Sequence, residues 1–299
     1  MIVITTPAGN IGHRVLDRVL AGDQPVRVIV RDPAKLPADV RDRVEVIQGS
    51  HGDRRVVTRA FDGADAVFWL YPPDRGADDV VESYVGFTRP AAEAMRGQGV
   101  KRVVDVSSLG RGTAYAGRAG QATASLAMDD LIAGTGVAFR ALALPGFMDN
   151  MLRQARALQE QGVFFGALAP DLKLPTVATR DIAAVAARLL LDTTWTGRQE
   201  LPVLGPEDLS NNDMAAVISE VLGKPVWYEQ VSAEALGKRL TGHSVSEAVA
   251  RAILDMMTAV NNGLYDGVAR TPQHAVDTRG AHPSCARLPS TGRLARHTR

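Results

Sequence analysis

The first thirteen residues constrain this chain more than any other stretch. Met1-Ile-Val-Ile-Thr-Thr-Pro-Ala-Gly-Asn-Ile-Gly-His13 is a short apolar run followed by a turn of small residues, and Val15, Val19 and Leu20 then recur at helical spacing. The pattern predicts a strand, a tight loop and a helix. Such a unit aims backbone N–H groups and the positive end of a helix at one spot, which suits a dinucleotide diphosphate. Gly9 lets the chain approach the phosphates, and Gly12 lets the helix pack onto the strand. The first glycine of a Gly-x-x-Gly-x-x-Gly pattern is absent, because Thr6 holds that position and Pro7 follows it. An ordinary βα turn without a ligand fits the same residues. Placement between strand and helix favours the dinucleotide site.

Alternation of strands and helices continues. Pro25–Val30 reads as a second strand, with Arg31-Asp-Pro-Ala-Lys35 after its end. This loop meets the adenosine ribose in a dinucleotide fold. A carboxylate there favours a free 2′-hydroxyl, whereas arginine favours a 2′-phosphate. Both types stand side by side, and Arg31 with Lys35 is favoured as a phosphate clamp because guanidinium suits phosphate. The other reading is a solvated loop in which Asp32 starts a helix before Pro33. Val44–Ile47 is a third strand; Ser50 and His51 follow it where such folds approach adenine, and Asp53 caps a helix to Phe61. His51 is given little weight as a catalyst. Asp65–Leu70 is a fourth strand, apolar enough to be buried on both faces. Tyr71-Pro-Pro73 ends it and forms either a cleft wall or a simple stop.

A helix is expected from Asp78 to Met95, with Pro90 as a kink point. Val100–Ser108 is the fifth strand. Alternation puts Val103, Asp105 and Ser107 on one face. A carboxylate inside such a strand is costly unless paired, so Asp105 belongs either to the site or to a local network. Ser107 and Ser108 lie at the strand end, where ligands bind in open α/β sheets. The glycine-rich segment Leu109–Gln121, with Arg111, Tyr115 and Arg118, is expected to be a mobile loop over the cleft. Later elements are a helix over Ala122–Ala133, a sixth strand over Val137–Leu142, and a helix opening at Pro145–Asn150. Short strands at 176–179, 200–204 and 225–229 alternate with helices at 181–191, 210–222, 232–240 and 245–260.

Composition excludes several classes. With 299 residues the chain can bury a large core. A net charge of +1 gives no electrostatic case for nucleic acid. No apolar run is long enough to span a bilayer, and no leader precedes the first strand, so a cytoplasmic protein without a membrane partner is expected. Cys285 is the single cysteine and forms no internal disulfide, in keeping with a reducing compartment. No metal-ligand spacing occurs. Between 270 and 299, six arginines face one aspartate, which reads as a basic, disordered tail.

Five segments, in their order and spacing, resemble the NmrA-like branch of the atypical short-chain dehydrogenase/reductase superfamily over about residues 1–268. They are Ile4–Gly12, Val30–Lys35, Gly99–Leu109, Leu144–Asn150 and Arg180–Ala183. The resemblance implies an α/β fold: a doubly wound parallel Rossmann sheet with a smaller α/β C-terminal substrate lobe. The expected division is an NADP(H)-binding domain at 1–150, a substrate lobe at 151–268 with segments returning to the sheet, and the tail at 269–299. It carries Gly9, Asn10, Ile11 and Gly12 over to the diphosphate, with Thr6 kept as a cofactor-binding candidate in the same turn, and Arg31 and Lys35 to the 2′-phosphate. Tyr71, Pro72, Ser107, Pro145 and Phe147 are placed beside the groove from adenosine to nicotinamide. Three features depart from the family: Thr6 for glycine, Leu144 where an arginine often precedes the proline, and the closing segment.

Many short-chain dehydrogenases use Tyr-x-x-x-Lys, in which lysine lowers the tyrosine pKa. Here Ala119 stands four residues after Tyr115, and no lysine lies between Lys101 and Lys173. Two functions follow. One is NADPH-dependent reduction of a quinone, enone or related conjugated carbonyl, where a delocalised product anion needs no strong acid and Ser108 or Tyr115 donates a hydrogen bond. The other is a non-catalytic NADP(H) sensor that presents its surface to a regulatory protein. A small-molecule substrate is the expected partner; a homodimer is left open.

Overall fold

The computed structural model describes residues 1–270. From the N-terminus, β1 (Ile2–Thr5), α1 (Gly12–Val19), β2 (Val26–Val30), α2 (Ala38–Arg41), β3 (Glu45–Gln48), α3 (Arg54–Phe61), β4 (Ala66–Trp69), α4 (Val80–Gly97), β5 (Arg102–Ser108), α5 (Gln121–Ala133) and β6 (Ala138–Leu144) alternate. Then come β7 (Gly146–Phe147), α6 (Ala155–Gln161), β8 (Val163–Gly166), β9 (Leu174–Val177), α7 (Thr179–Leu191), β10 (Arg198–Pro202), β11 (Asp208–Leu209), α8 (Asn211–Leu222), β12 (Trp227–Gln230), α9 (Ala233–Thr241) and α10 (Glu247–Asn261). Seven strands form one parallel sheet in the order β3-β2-β1-β4-β5-β6-β10. This is the doubly wound arrangement expected from the alternation, with β10 added at the edge.

Period-2 alternation sorts the core into two layers. Ile2 and Ile4 of β1 face the apolar sides of α1 and α7, while Val3 faces the layer under α3, α4 and α5 with Phe61, Trp69, Met95 and Met128. Each large side chain buried this way contributes about 1.5–3 kcal/mol. The Thr5 hydroxyl donates to Phe68 O at 3.0 Å and accepts from Leu70 N at 3.0 Å, joining the C-terminal ends of the central strands β1 and β4. Asp53 caps α3, accepting from Arg55 N at 2.8 Å and Val56 N at 3.2 Å. α4 runs through Pro90 as one helix.

The chain after β6 differs from expectation. No α-helix opens at Pro145. Gly146 and Phe147 stay extended and pair with Thr176 and Val177 of β9, and a 3₁₀ helix spans Met148–Gln154. Asp149 reaches across to cap α7, accepting from Thr179 N at 2.8 Å and Thr179 Oγ1 at 2.7 Å. The lobe holds a three-stranded sheet, β11-β9-β7, and a two-stranded parallel pair, β12-β8. α10 returns to the layer built by β1–β6: Ser246 N bonds Arg75 O at 2.8 Å, and a Cβ on Gly120 would lie 2.0 Å from Ala252 O. The expected basic tail falls outside the described residues, save Ala269 and Arg270. Arg270 Nε donates to Gly205 O at 2.8 Å, and its guanidinium pairs with Asp208. Among the described residues no helix is long and apolar enough to cross a membrane.

Candidate cofactor and acceptor site

Parallel strands share one C-terminal edge, so Gly9, Arg31, Tyr71, Ser107 and Pro145 are gathered along it from β1, β2, β4, β5 and β6. At β1 the turn is unusually tight. Thr6 is in the left-handed region at φ 50°, and Gly9 N donates to Thr6 O at 2.9 Å. A Cβ on Gly12 would lie 2.0 Å from that same oxygen, so no larger residue fits while the turn is kept. Ile11 is buried and anchors the start of α1, whereas Asn10 is exposed. The N–H groups of Asn10, Ile11 and Gly12 make no hydrogen bond among the described residues, as at a helix start open to an anion.

At β2 the ambiguity between Arg31 and Asp32 resolves. Asp32 caps the 3₁₀ turn Pro33–Lys35, accepting from Ala34 N at 3.0 Å. Arg31 and Lys35 are exposed, and neither side chain has a hydrogen bond or ion-pair partner among the described residues. Beside them His51 is buried, bonds Leu70 O at 3.1 Å and stands edge-on to the Trp69 and Phe87 rings. Burial and the nearby Arg31 charge bring its pKa down to about 4, with the Leu70 bond opposing. His51 is thus held neutral, bonded to Leu70 O and packed between the Trp69 and Phe87 rings.

Further along the edge, several expected groove residues are otherwise engaged. The Tyr71 ring is buried against Tyr84 at 3.9 Å, its hydroxyl is bonded to that of Ser83, and Pro72 stays half-buried at the strand end. Ser107 is buried and donates to the Asp129 carboxylate. Ser108 is half-buried and donates to Leu109 O at 3.1 Å. Pro145 is buried just after β6, and Phe147 packs on the α1–α7 layer. Tyr115 is half-buried against Ala119, Ala122 and the end of α10, with the Arg118 guanidinium 5.0 Å from its ring. Its hydroxyl makes no hydrogen bond among the described residues.

The Asp105 question is answered by a residue that sequence reading missed. Asp105 is fully buried and faces Asp129 on α5. Burial and the facing carboxyl push Asp105 well above the usual carboxylate range. Burial raises Asp129 too, while Ser107 and Arg111 pull the other way. Both Asp105 oxygens and Oδ1 of Asp129 lack a partner in hydrogen-bond geometry, and a proton held between the carboxyls would join Asp129 Oδ1 to one of the Asp105 oxygens. Arg111 binds the outer side of this pair. It donates to Glu200 at 2.6 Å, to Asp130 at 2.8 Å and to Leu126 O at 3.2 Å, and lies 3.5 Å from Asp129. The segment expected to be a mobile loop is thereby tied to α5 and β10 at Arg111 and to α10 at Gly120.

Comparison with known proteins agrees with this geometry. Residues 8–193 match the NAD(P)H-binding family. The chain belongs to that family. Residues 136–282 match the NmrA-like family, so the resemblance read from the five segments holds. A (4-alkanoyl-5-oxo-2,5-dihydrofuran-3-yl)methyl phosphate reductase of Streptomyces griseus is 31% identical over 91% of this chain and 92% of its own. Quinone oxidoreductase 2 of Escherichia coli is 26% identical over 89% of this chain and 90% of its own. Among solved structures, Citrobacter sp. triphenylmethane reductase complexed with NADP(H) superposes with a TM-score of 0.75 at 21% identity, over 90% of this chain and 93% of that one. These three relatives are reductases, and residues 8–193 carry the NAD(P)H-binding match. Open amides at the start of α1, the close Gly12–Thr6 approach and the unpaired cations after β2 fit that cofactor.

Proposed function

We propose that this protein is an NADPH-dependent reductase of a quinone, enone or related conjugated carbonyl compound. The observation that supports the reading is the use of Asp32 as a cap, which leaves Arg31 and Lys35 exposed without a hydrogen-bond or ion-pair partner among the described residues at the end of β2. In this reading the Asn10–Gly12 amides hold the diphosphate, and Arg31 and Lys35 hold the 2′-phosphate. Pro72, Ser107, Pro145 and Phe147 shape the groove toward the nicotinamide end. The bound cofactor supplies hydride.

A conjugated acceptor suits what the chain offers for the other half of the reaction. No lysine is available to acidify Tyr115, and Ala119, at the lysine position, is buried. Delocalisation of the product anion lowers the demand for a strong acid, so a neutral hydrogen-bond donor suffices and water supplies the proton. Two relatives named as a dihydrofuranone phosphate reductase and a quinone oxidoreductase support this substrate class. The test is anaerobic NADPH consumption against quinones, enones and aldehydes, with NADPH and NADH titrated in parallel. Tight NADPH binding with no acceptor reduced would replace the enzyme by an NADP(H) sensor.

A further inference from the structure

The turn after α10 sits on the exit of β5. A Cβ on Gly110 would lie 2.5 Å from Leu264 Cδ1, and Leu109 packs with Ala143, Leu204, Tyr265 and Val268. This turn lines a cavity of about 480 Å³, between the 262–268 segment and residues 172–175 at the start of β9. That volume is ordinary for a small-molecule site. Leu174, Pro175, Val260 and Val268 give it apolar patches in a lining that is otherwise mostly polar and includes Lys173, Asp208 and Asp266.

Its polar groups are unequally free. Asn261 accepts from Ala169 N at 2.9 Å and donates to Ala167 O at 3.1 Å, so it is committed to holding the lobe. Tyr265 also lines the cavity, and its hydroxyl has no hydrogen bond among the described residues. Burial pushes this phenol up to about 12, so it stays protonated and is a donor at neutral pH. One aromatic ring therefore touches both the cavity and the C-terminal ends of β5 and β6, where Ser108 stands.

We propose that this cavity receives the conjugated acceptor and that Tyr265 donates a hydrogen bond to the acceptor's carbonyl oxygen. The proposal rests on the reductase reading and supplies its missing donor. Hydride from reduced nicotinamide adds to the conjugated system, the displaced electron pair moves onto the oxygen, and water delivers the proton that completes the product. Tyr265 stabilises the oxygen while the charge develops. Its hydrogen bond strengthens along the reaction, so its loss falls on kcat more than on KM.

The test uses the full chain with 1,4-naphthoquinone as the probe. Tyr265→Phe keeps the ring and should lower kcat about tenfold, the worth of one such hydrogen bond, with NADPH binding unchanged. Asn262 is exposed on the cavity rim. Asn262→Trp should weaken naphthoquinone binding at least about tenfold, measured by calorimetry on cofactor-free protein, again without touching NADPH binding. Wild-type turnover in Tyr265→Phe, or unaltered quinone binding in Asn262→Trp, overturns the proposal. Should the wild type reduce no acceptor, the reductase reading falls. The calorimetric arm then still decides the cavity: binding lost in Asn262→Trp supports it, and unaltered or absent binding refutes it.

Discussion

The carbonyl oxygen of Thr6 lies where a side chain on Gly12 would begin, 2.0 Å from its Cβ position. Gly12→Ala must push α1 off the sheet or distort the turn. Overpacking of this kind costs about 1–3 kcal/mol. The expected outcome is a lower urea midpoint together with loss of NADPH binding, because the open amides are displaced with the helix. Thr6→Gly should act oppositely. It removes a left-handed β-branched residue and a buried hydroxyl without a partner. Offset by the extra freedom of glycine in the unfolded chain, the gain is about 1 kcal/mol. A lower urea midpoint in Thr6→Gly would refute the strain.

Cofactor choice is read from β2. Arg31→Ala should weaken NADPH binding about tenfold and leave NADH nearly unchanged, the modest size reflecting exposure of the side chain. Raising salt should narrow the preference, since exposed charges are screened. Titration of both cofactors at low and high salt checks it. Equal affinities in the wild type would rule out the clamp.

Tyr115→Phe should change turnover on an accepted quinone by less than about threefold, against the hundredfold or more expected of a positioned acid. Its ring packs against the end of α10 and its neighbour four residues on is alanine. Stopped-flow comparison with the wild type measures this directly.

The buried Asp105–Asp129 pair and the buried His51 should give opposed contributions to stability between about pH 4 and 6.5. Asp105 and Asp129 titrate higher in the folded chain than in the unfolded one, so the folded state holds more protons above pH ~4. The pair's contribution to stability therefore falls as pH rises from there, by at most about 1.4 kcal/mol per pH unit for each proton, while His51, held down to about 4, opposes it up to about pH 6.5 because the unfolded imidazole binds a proton that the folded one does not. Below that range the sign reverses. Asp65, held down to about 2 by Lys101 and the N-terminal ammonium, loses its pairing as pH drops from about 4 toward 2. Urea unfolding across pH gives the curve. Asp129→Asn should flatten its alkaline limb, and an unchanged slope would dissociate the pair from it.

The nucleotide half was legible because its signals are local. Short apolar runs ended by Gly, Asp or Pro gave β1 through β6, and Asp53 was recognisable as a cap. Asp32 was not decidable from sequence, because a carboxylate before proline serves a cap and a ribose equally well. Alternation placed Asp105 and Ser107 on one face correctly. Which layer covers that face depends on α5, and Asp129 arrives from more than twenty residues away. β8 was missed because Val-Phe-Phe-Gly is a short apolar run with no period of its own, and its partner β12 lies some sixty residues on. Pro145 looked like a helix start, but pairing with β9 keeps the next two residues extended. Tyr265 carried no local signal beyond standing after Asn-Asn-Gly at the close of a helix.

The seating of Leu264 on Gly110 also bears on how the protein is made. The Thr6–Gly12 turn, the Arg31 loop and the strand ends through Phe147 are all encoded in the first half of the chain. The cover over the exit of β5 arrives more than a hundred residues later. During synthesis the amino-terminal half leaves the ribosome first. A nascent chain can therefore offer its dinucleotide edge before the wall built by residues 262–268 exists. A message cut short ahead of Leu264 would encode a product with that wall missing and the apolar ends of β5 and β6 open to water, a surface for chaperones and proteases to find.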